Sequence, residues 1–180
     1  GQGKLIASDV VNKRLENIRP RLARAGVEAE LVLIGQNGGG LEDLNGQADL
    51  VFVDAPCSGS GTWRRRPEDA WRLTAEEVEK LHALQVRILG QAAKLVKPGG
   101  RLVYVTCSML SRENEASVDA FEATHPEFRP VPIADVLSAP QLIDAAREKF
   151  TGLAVAARLR LSPASADTDG FFAAVYERTE

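Results

Sequence analysis

Two cysteines and an aspartate stand where the chain can hold them rigidly against a small substrate. Residues 48–62 read ADLVFVDAPCSGSGT, and four consecutive apolar residues predict a buried strand over Asp49–Val53. Asp54, Pro56 and Cys57 follow this strand directly, and Pro56 fixes its own φ, so the acid and the thiol are held on stiff backbone. A carboxylate and a thiol at a strand end are groups that acid–base and nucleophilic catalysis use.

The glycines of this turn leave its function open. Gly59 and Gly61 follow Cys57 and, lacking side chains, are expected to let another molecule come close. A glycine- and serine-rich connection whose cysteine is merely a small buried hydrophobe is the alternative interpretation. The motif alone does not decide between a site and a connection.

The second cysteine occupies an equivalent place after another strand. Pro98–Gly100 is expected to stop a helix, residues 101–105 (RLVYV) are predicted to form a strand, and Cys107 follows between Thr106 and Ser108. If the two strands are neighbours in one parallel sheet, they lie about 4.8 Å apart and both thiols can face one substrate.

A disulfide, a metal pair and coincidence are the competing interpretations of the two thiols. The sequence shows no signal peptide and no long apolar run, which favours a reducing compartment over a structural disulfide, and we expect a cytoplasmic protein. Cys57, Cys107 and the lone His82 and His125 lack the spacing of a ligand set, so no metal is expected. Both histidines are expected on the surface.

The two motifs together resemble a known family. DAPCSGSGT and YVTCS are similar to the two signature motifs of the RNA cytosine-C5 methyltransferases of the Sun/Fmu type, which use S-adenosylmethionine. LIASDV, the WRRRP segment, SRENEASV and TDGFFAAV extend the resemblance through nearly the whole chain. It implies that Cys107 is the nucleophile, that Cys57 is needed for product release, and that Asp54 contacts the base and the cofactor.

The resemblance also implies cofactor contacts, at Asp9, Gln36, Asp54 and Pro56. Asp9 follows a short strand predicted over Leu5–Ala7, where a carboxylate can accept hydrogen bonds from both ribose hydroxyls. A negative charge at a helix N-terminus is the structural alternative for Asp9. Gln36 or Asn37 stands where the family usually places an acid for the adenine amino group, and an amide can accept that hydrogen bond without the charge.

The predicted fold class is α/β, a Rossmann-like methyltransferase fold with a mainly parallel sheet and helices on both faces. An antiparallel C-terminal hairpin, formed by strands over 156–161 and 171–177, is expected at the sheet edge. The family's first strand and glycine-rich loop are expected upstream of Gly1. We therefore expect residues 1–180 to be one catalytic methyltransferase domain that is incomplete at its N-terminus.

Helices are predicted from their start and stop signals. The first spans residues 12–25, kinked or divided at Pro20, and another begins at a capping box, Thr74–Glu77. Ser111 is expected to cap a helix that runs to about residue 124, with Val118 and Phe121 inward. Residues 127–152 are expected to form a connection with one helix near Gln141–Phe150.

Charge and composition constrain the partners. The chain has 180 residues, 44% of them hydrophobic, and a net charge of -3, which does not suggest a general nucleic-acid binder. A separate N-terminal RNA-binding domain, as the resemblance implies, would supply further phosphate contacts. The run Arg64, Arg65 and Arg66 is expected to contact RNA phosphates, and Trp63 and Trp71 to stack a base or brace the loop. Solvated arginines and core tryptophans are the alternatives.

The predicted function is methylation of carbon 5 of cytosine in RNA, ribosomal RNA before transfer RNA, by a monomer that uses S-adenosylmethionine and does not bind membranes. Carbon 5 is a poor nucleophile, so a thiolate must first add to carbon 6. In DNA cytosine methyltransferases the Pro-Cys thiol attacks, and only the resemblance gives this role to Cys107. The alternatives are a DNA methyltransferase, disfavoured by the cysteine in YVTCS, and a non-catalytic RNA-binding or assembly module, favoured by the acidic balance.

Overall fold

The computed structural model describes residues 3–35, 37–138, 148–150 and 152–180, which fall into two units, 1–45 and 46–180. In the first unit, β1 (Ile6–Asp9) and β2 (Glu30–Leu33) pair in parallel and are connected through α1 (Asn12–Ala25). The helix ends as predicted because Gly26 adopts the left-handed conformation, with φ at 63°. Helix α1 continues through Pro20, so a division there is wrong, since losing one N–H donor leaves the other helical hydrogen bonds in place, while the alternative, a kink, stays a prediction.

The second unit combines a mixed sheet with helices, which confirms the α/β class. Its strands are β3 (Ala48–Asp54), β4 (Val96–Thr106), β5 (Phe128–Pro130), β6 (Ala154–Val155), β7 (Arg158–Leu161) and β8 (Phe171–Arg178). Its helices are α2 (Glu68–Arg72), α3 (Ala75–Leu95), α4 (Glu115–Glu122), α5 (Ile133–Leu137) and α6 (Pro163–Ala166). The sheet order is β3-β4-β8-β7-β6, and β5 also pairs with β8.

Strands β3 and β4 are parallel neighbours, as predicted from their motifs. Their register places Leu50 opposite Arg101 and Asp54 opposite Val105, so both strands end at the same edge of the sheet. Strand β8 runs antiparallel to both β4 and β7. The C-terminal antiparallel pairing is therefore confirmed, but β8 lies inside the sheet and not at its edge, and the sheet is mixed.

The burial predicted for β3 is wrong on one face. Leu50 and Phe52 are 58% and 63% exposed. They are exposed because only the opposite face, with Val51 and Val53, packs against the core of this unit.

The core explains why β8 is interior. Successive residues of a strand point to opposite faces. On one face Tyr176 packs with buried residues of α3, α4 and β4, and on the other face Val175 packs with a cluster that includes Ile133 and Leu137 of α5. Helices thus cover both faces of the sheet, and the capping box formed by Thr74 and Glu77 at the start of α3 is present as predicted.

Three local predictions are wrong. Helix α4 begins at Glu115 and not after Ser111, because the chain first turns to bury the side chains of two polar residues. Pro98–Gly100 does not stop a helix: α3 ends at Leu95, and these residues form an irregularity inside β4, where Gly99 takes a φ of 74°. The stretch 127–152 contains β5 and α5 in addition to connections; of the expected helix near 141–150, residues 148–150 are helical and residues 141–147 lie outside the described residues.

Candidate active site

The two cysteines meet at the common end of β3 and β4. The backbone N–H of Ala55 donates to the carbonyl of Val105 at 2.9 Å, which carries the parallel pairing one residue beyond β3. Cys57 and Cys107 follow, and their Sγ atoms lie 3.4 Å apart. Both are free thiols of intermediate exposure, so the structure brings together the pair that the sequence predicted, within reach of a small substrate.

The thiols differ in acidity because one donates a hydrogen bond to the other. The hydrogen bond from Cys57 lowers the pKa of Cys107 to about 7, against the opposing effects of burial and of the negative charges of Asp54 and Glu113. The same hydrogen bond, followed by burial, raises the pKa of Cys57. Cys107 is therefore the thiolate of the pair near neutral pH, and Cys57 is the thiol that stabilises it.

Close backbone packing fixes the loop that carries Cys57. The N–H of Gly61 donates to the carbonyl of Cys107 at 2.9 Å, and the N–H of Gly170 donates to the carbonyl of Gly61 at 2.8 Å. A Cβ at Gly61 would overlap the backbone of Gly170. Gly61 is buried, so it serves loop-to-loop packing and does not leave room for a ligand, contrary to the expectation. Gly59 takes the left-handed conformation that begins a short 3₁₀ turn, Ser60–Thr62.

Asp54 and Pro56 are exposed beside the thiols. In the described part of the chain, the Asp54 carboxylate has no hydrogen-bond or ion-pair partner, and it stands at the last position of β3. The carbonyl of Pro56 accepts a hydrogen bond from Gln85 Nε2 at 2.9 Å, which ties the loop to α3. An exposed carboxylate with all its acceptor sites free can bind a donor group of an incoming molecule.

The arginine run lies on the surface after this loop. Arg64 and Arg65 both reach Asp169, at 3.3 Å and 2.5 Å, and both side chains remain about two-thirds exposed. Arg66 is exposed as well. Two cations on one carboxylate leave net positive charge, so the pairing does not prevent phosphate contact.

The two tryptophans near the arginines have different environments. Trp71 on α2 is 90% exposed. The indole N–H of Trp63 is buried and has no hydrogen-bond partner within the described residues. Of the two, Trp71 therefore offers the open aromatic face that base stacking needs.

In the first unit, Asp9 is placed as predicted at the end of its strand. One carboxylate oxygen accepts the N–H of Val11 at 2.8 Å, and the other lies 3.6 Å from an Arg14 nitrogen. The hydrogen bond from Val11 lies just before α1 and agrees with the structural alternative, a charge at the start of the helix. Each carboxylate oxygen can still accept further hydrogen bonds. Gln36 lies outside the described residues.

The histidines do not form a metal site. No group of three or more His, Cys, Asp or Glu side chains suited to a metal was found over the described ranges. Neither histidine is fully on the surface, contrary to expectation: His82 Nδ1 is 2.9 Å from Ser117 Oγ, and the ring of His125 stacks on Phe121 with centroids 4.4 Å apart.

Among the helices that the structure describes, none has the length and apolar character of a membrane span.

Comparison with known proteins identifies the family. The model of the family described as 16S rRNA methyltransferase RsmB/F matches residues 1–177. The chain belongs to this family. The resemblance inferred from the two cysteine motifs is thereby confirmed.

Relatives and solved structures agree with the assignment. A probable ribosomal RNA small subunit methyltransferase B of Bacillus subtilis is 34% identical over 174 residues, which cover 95% of this chain and 37% of that protein. Its counterpart in Thermus thermophilus is 46% identical over 87 residues, 48% of this chain and 22% of that protein. A methyltransferase homologue from Pyrococcus horikoshii superposes with a TM-score of 0.71 at 28% identity, covering 98% of this chain and 53% of that one. The chain thus spans well under half the length of these curated relatives.

Sequence reasoning missed the buried polar residues behind the family motifs. Gln85, Glu113 and Asn114 are fully buried. Asn114 Oδ1 accepts the Thr106 hydroxyl at 2.6 Å, and its Nδ2 donates to the carbonyl of Ser108 at 2.9 Å, which fixes the end of β4. The segment SRENEASV resembles the family, but the resemblance gives its residues no roles. For Gln85, the available signal is a glutamine within the apolar stripe of α3.

Proposed function

We propose that this chain forms the catalytic part of an enzyme that transfers a methyl group from S-adenosylmethionine to carbon 5 of a cytosine in ribosomal RNA, through a covalent adduct with Cys107. The observation that carries the proposal is the pair of thiols 3.4 Å apart at the ends of two adjacent parallel strands. Ligand sites of open α/β sheets lie at this edge. The family membership supports the substrate class.

Cys107 is the proposed nucleophile because it is the ionised member of the pair. Its thiolate adds to carbon 6 of the pyrimidine, and the electron pair of the carbon 5–carbon 6 double bond makes carbon 5 nucleophilic. With its pKa at about 7, close to half of Cys107 is ionised at neutral pH. The hydrogen bond between the thiols raises the pKa of Cys57, so Cys57 keeps its proton while Cys107 is ionised and does not take this role.

Cys57 is proposed to assist release. In product release the carbon 5 proton passes to a solvent water molecule, its bonding electrons restore the carbon 5–carbon 6 double bond, and the Cys107 sulfur leaves carbon 6 as a thiolate. A thiol 3.4 Å from that sulfur is placed to donate a hydrogen bond to the departing thiolate. Asp54, exposed at the end of β3, is proposed to accept a hydrogen bond from the exocyclic amino group of the cytosine.

We propose that S-adenosylmethionine is held by the groups that the family resemblance implies, because their chemistry suits its donors. Asp9 keeps acceptor capacity for ribose hydroxyls, and Asp54 has a free carboxylate for the methionine end, with Pro56 beside it; Gln36 is proposed for the adenine. When bound, S-adenosylmethionine supplies an activated methyl group on a sulfonium.

RNA is proposed to contact the surface beyond the thiols. The exposed guanidinium groups of Arg64, Arg65 and Arg66 suit phosphates, and the open face of Trp71 suits an unstacked base. We further propose that the enzyme acts as a cytoplasmic monomer and that an N-terminal RNA-binding domain of the full-length protein adds phosphate contacts. Phosphate contacts from that domain would explain how a chain with a net charge of -3 can act on RNA.

The proposal is tested by following a labelled methyl group. The full-length protein is incubated with ribosomal RNA, or in parallel with DNA, and with S-adenosylmethionine labelled in the methyl group, and each nucleic acid is digested to nucleosides. We expect label in 5-methylcytidine with the wild type and none with Cys107→Ala. Label in DNA alone would favour the DNA methyltransferase, and no label in either nucleic acid, despite RNA binding, would favour the non-catalytic module.

A further inference from the structure

Glu113 is a fully buried carboxylate that contacts both cysteine loops. It lies between the end of β4 and the start of α4, and its own carbonyl accepts the Tyr104 hydroxyl at 2.7 Å. Oε1 accepts the backbone N–H of Ser58 at 2.7 Å and Gln85 Nε2 at 3.2 Å. Oε2 accepts the hydroxyls of Ser58 and Ser108, each at 2.5 Å.

The serines that Glu113 holds are the residues next to the two thiols. Ser58 directly follows Cys57, and Ser108 directly follows Cys107. A single carboxylate oxygen therefore joins the residues that come just after each cysteine, on loops that belong to different strands. Gln85 strengthens the link, because the same Nε2 that reaches Glu113 also donates to the carbonyl of Pro56, just before Cys57.

We propose that Glu113 is a positioning residue that sets the separation of the two sulfur atoms and thereby keeps Cys57 in place to hydrogen-bond the Cys107 thiolate; its consequence for catalysis rests on the proposed function. A buried carboxylate is costly unless every acceptor site is used. A packed apolar side chain would fill this position without that cost, but it could not join two hydroxyls, an amide N–H and a glutamine. The hydrogen bonds to both cysteine loops therefore explain why a carboxylate occupies this buried position.

The pKa of Cys107 distinguishes a positioning role of Glu113 from a purely electrostatic one, because the two roles predict shifts in opposite directions. The ionisable groups that act on Cys107 are Cys57, Asp54 and Glu113, and the hydrogen bond from Cys57 is the largest influence. The charge of Glu113 by itself opposes ionisation of Cys107, as a nearby negative charge must. Glu113→Gln should therefore raise the pKa of Cys107 if the thiols move apart, whereas a purely electrostatic role would lower it.

The test compares Glu113→Gln with a matched control, Glu122→Gln. Glu122 is another carboxylate that accepts side-chain hydrogen bonds, from the Tyr176 hydroxyl at 2.8 Å and from Arg158 at 3.1 Å, but none of its hydrogen bonds reaches a cysteine loop. Two readouts are made on the full-length protein without RNA. One is the rate at which diamide, which accepts the two thiol hydrogens, converts Cys57 and Cys107 into a disulfide, and the other is the pH midpoint of Cys107 alkylation.

We expect Glu113→Gln to slow disulfide formation by about tenfold, since displacements near 1 Å have effects of this size or larger on reacting pairs, and to raise the alkylation midpoint. Glu122→Gln should change neither. If Glu113→Gln does not fold, Ser108→Ala, which removes the link from the Cys107 loop alone, should slow disulfide formation in the same direction. An unchanged rate together with an unchanged or lowered midpoint would overturn the positioning role. Neither readout involves methylation, so loss of the proposed function and loss of this role are distinguishable.

Discussion

Replacing Cys57 by alanine removes the donor that stabilises the Cys107 thiolate. Hydrogen bonds to charged groups contribute about 1.5–3 kcal/mol, and about 1.4 kcal/mol changes a pKa by one. Loss of the donor should therefore raise the pKa of Cys107 by roughly one to two, from about 7. It would then reach or exceed the ordinary value for a cysteine, about 8.5, because burial and the charges of Asp54 and Glu113 still oppose ionisation. At a pKa of about 8.5 only about 3% of the thiol is ionised at neutral pH.

The pH dependence of Cys107 alkylation by iodoacetamide, read by mass spectrometry of its peptide, measures this change. Wild type should show a midpoint of about 7, and Cys57→Ala a midpoint of about 8.5, the usual value, or higher. The two rate profiles should cross at alkaline pH, because the more basic thiolate is the stronger nucleophile. Cys57→Ser is the matched control, since its hydroxyl can still donate and should keep the midpoint low. An unshifted midpoint in Cys57→Ala would refute the assignment of Cys57 as the donor.

Two further predictions concern packing and RNA contact. Gly61→Ala should destabilise the fold by about 1–3 kcal/mol, because the added Cβ overpacks against Gly170. Thermal unfolding measures the effect, with Gly152→Ala as the control, since its added Cβ meets nothing within 4 Å. Equal unfolding temperatures of the two variants would contradict the packing argument. Replacing Arg64–Arg66 by alanine should weaken RNA binding across sequences and reduce its salt slope by about 2. Asp169→Ala, which frees two of these arginines, should strengthen binding, and an unchanged slope in the triple variant would assign the run to solvated surface.

The elements that position the thiols were predictable because their signals are local. Apolar runs located β3 and β4, Gly26 marked the end of α1, and Thr74 with Glu77 marked the start of α3. The equivalent placement of the two cysteines after two such strands then predicted their proximity, which the distance of 3.4 Å confirms.

The remaining features depend on contacts between distant parts of the chain. The sequence of β8 predicts a strand, but it does not indicate which strands pair with it. In the structure β4 pairs with it on one side and β7 on the other. Glu113 lies in a charged segment typical of protein surface, and only the fold places it beneath both cysteine loops, with partners 55 residues away. The sequence around Gly61 predicts an open turn. It does not reveal the packing against Gly170, because that contact joins loops that are remote in sequence.

The most direct test of the proposed chemistry asks which thiol forms the bond to RNA. The full-length protein is incubated with ribosomal RNA and S-adenosylmethionine, then denatured, and covalent complexes are separated by electrophoresis. Cys57→Ala should accumulate a denaturation-resistant protein–RNA complex that requires S-adenosylmethionine, because addition and methylation proceed while release stalls. Cys107→Ala should form no complex and no product. The reverse pattern, with RNA trapped by Cys107→Ala and not by Cys57→Ala, would contradict the account and make Cys57 the nucleophile.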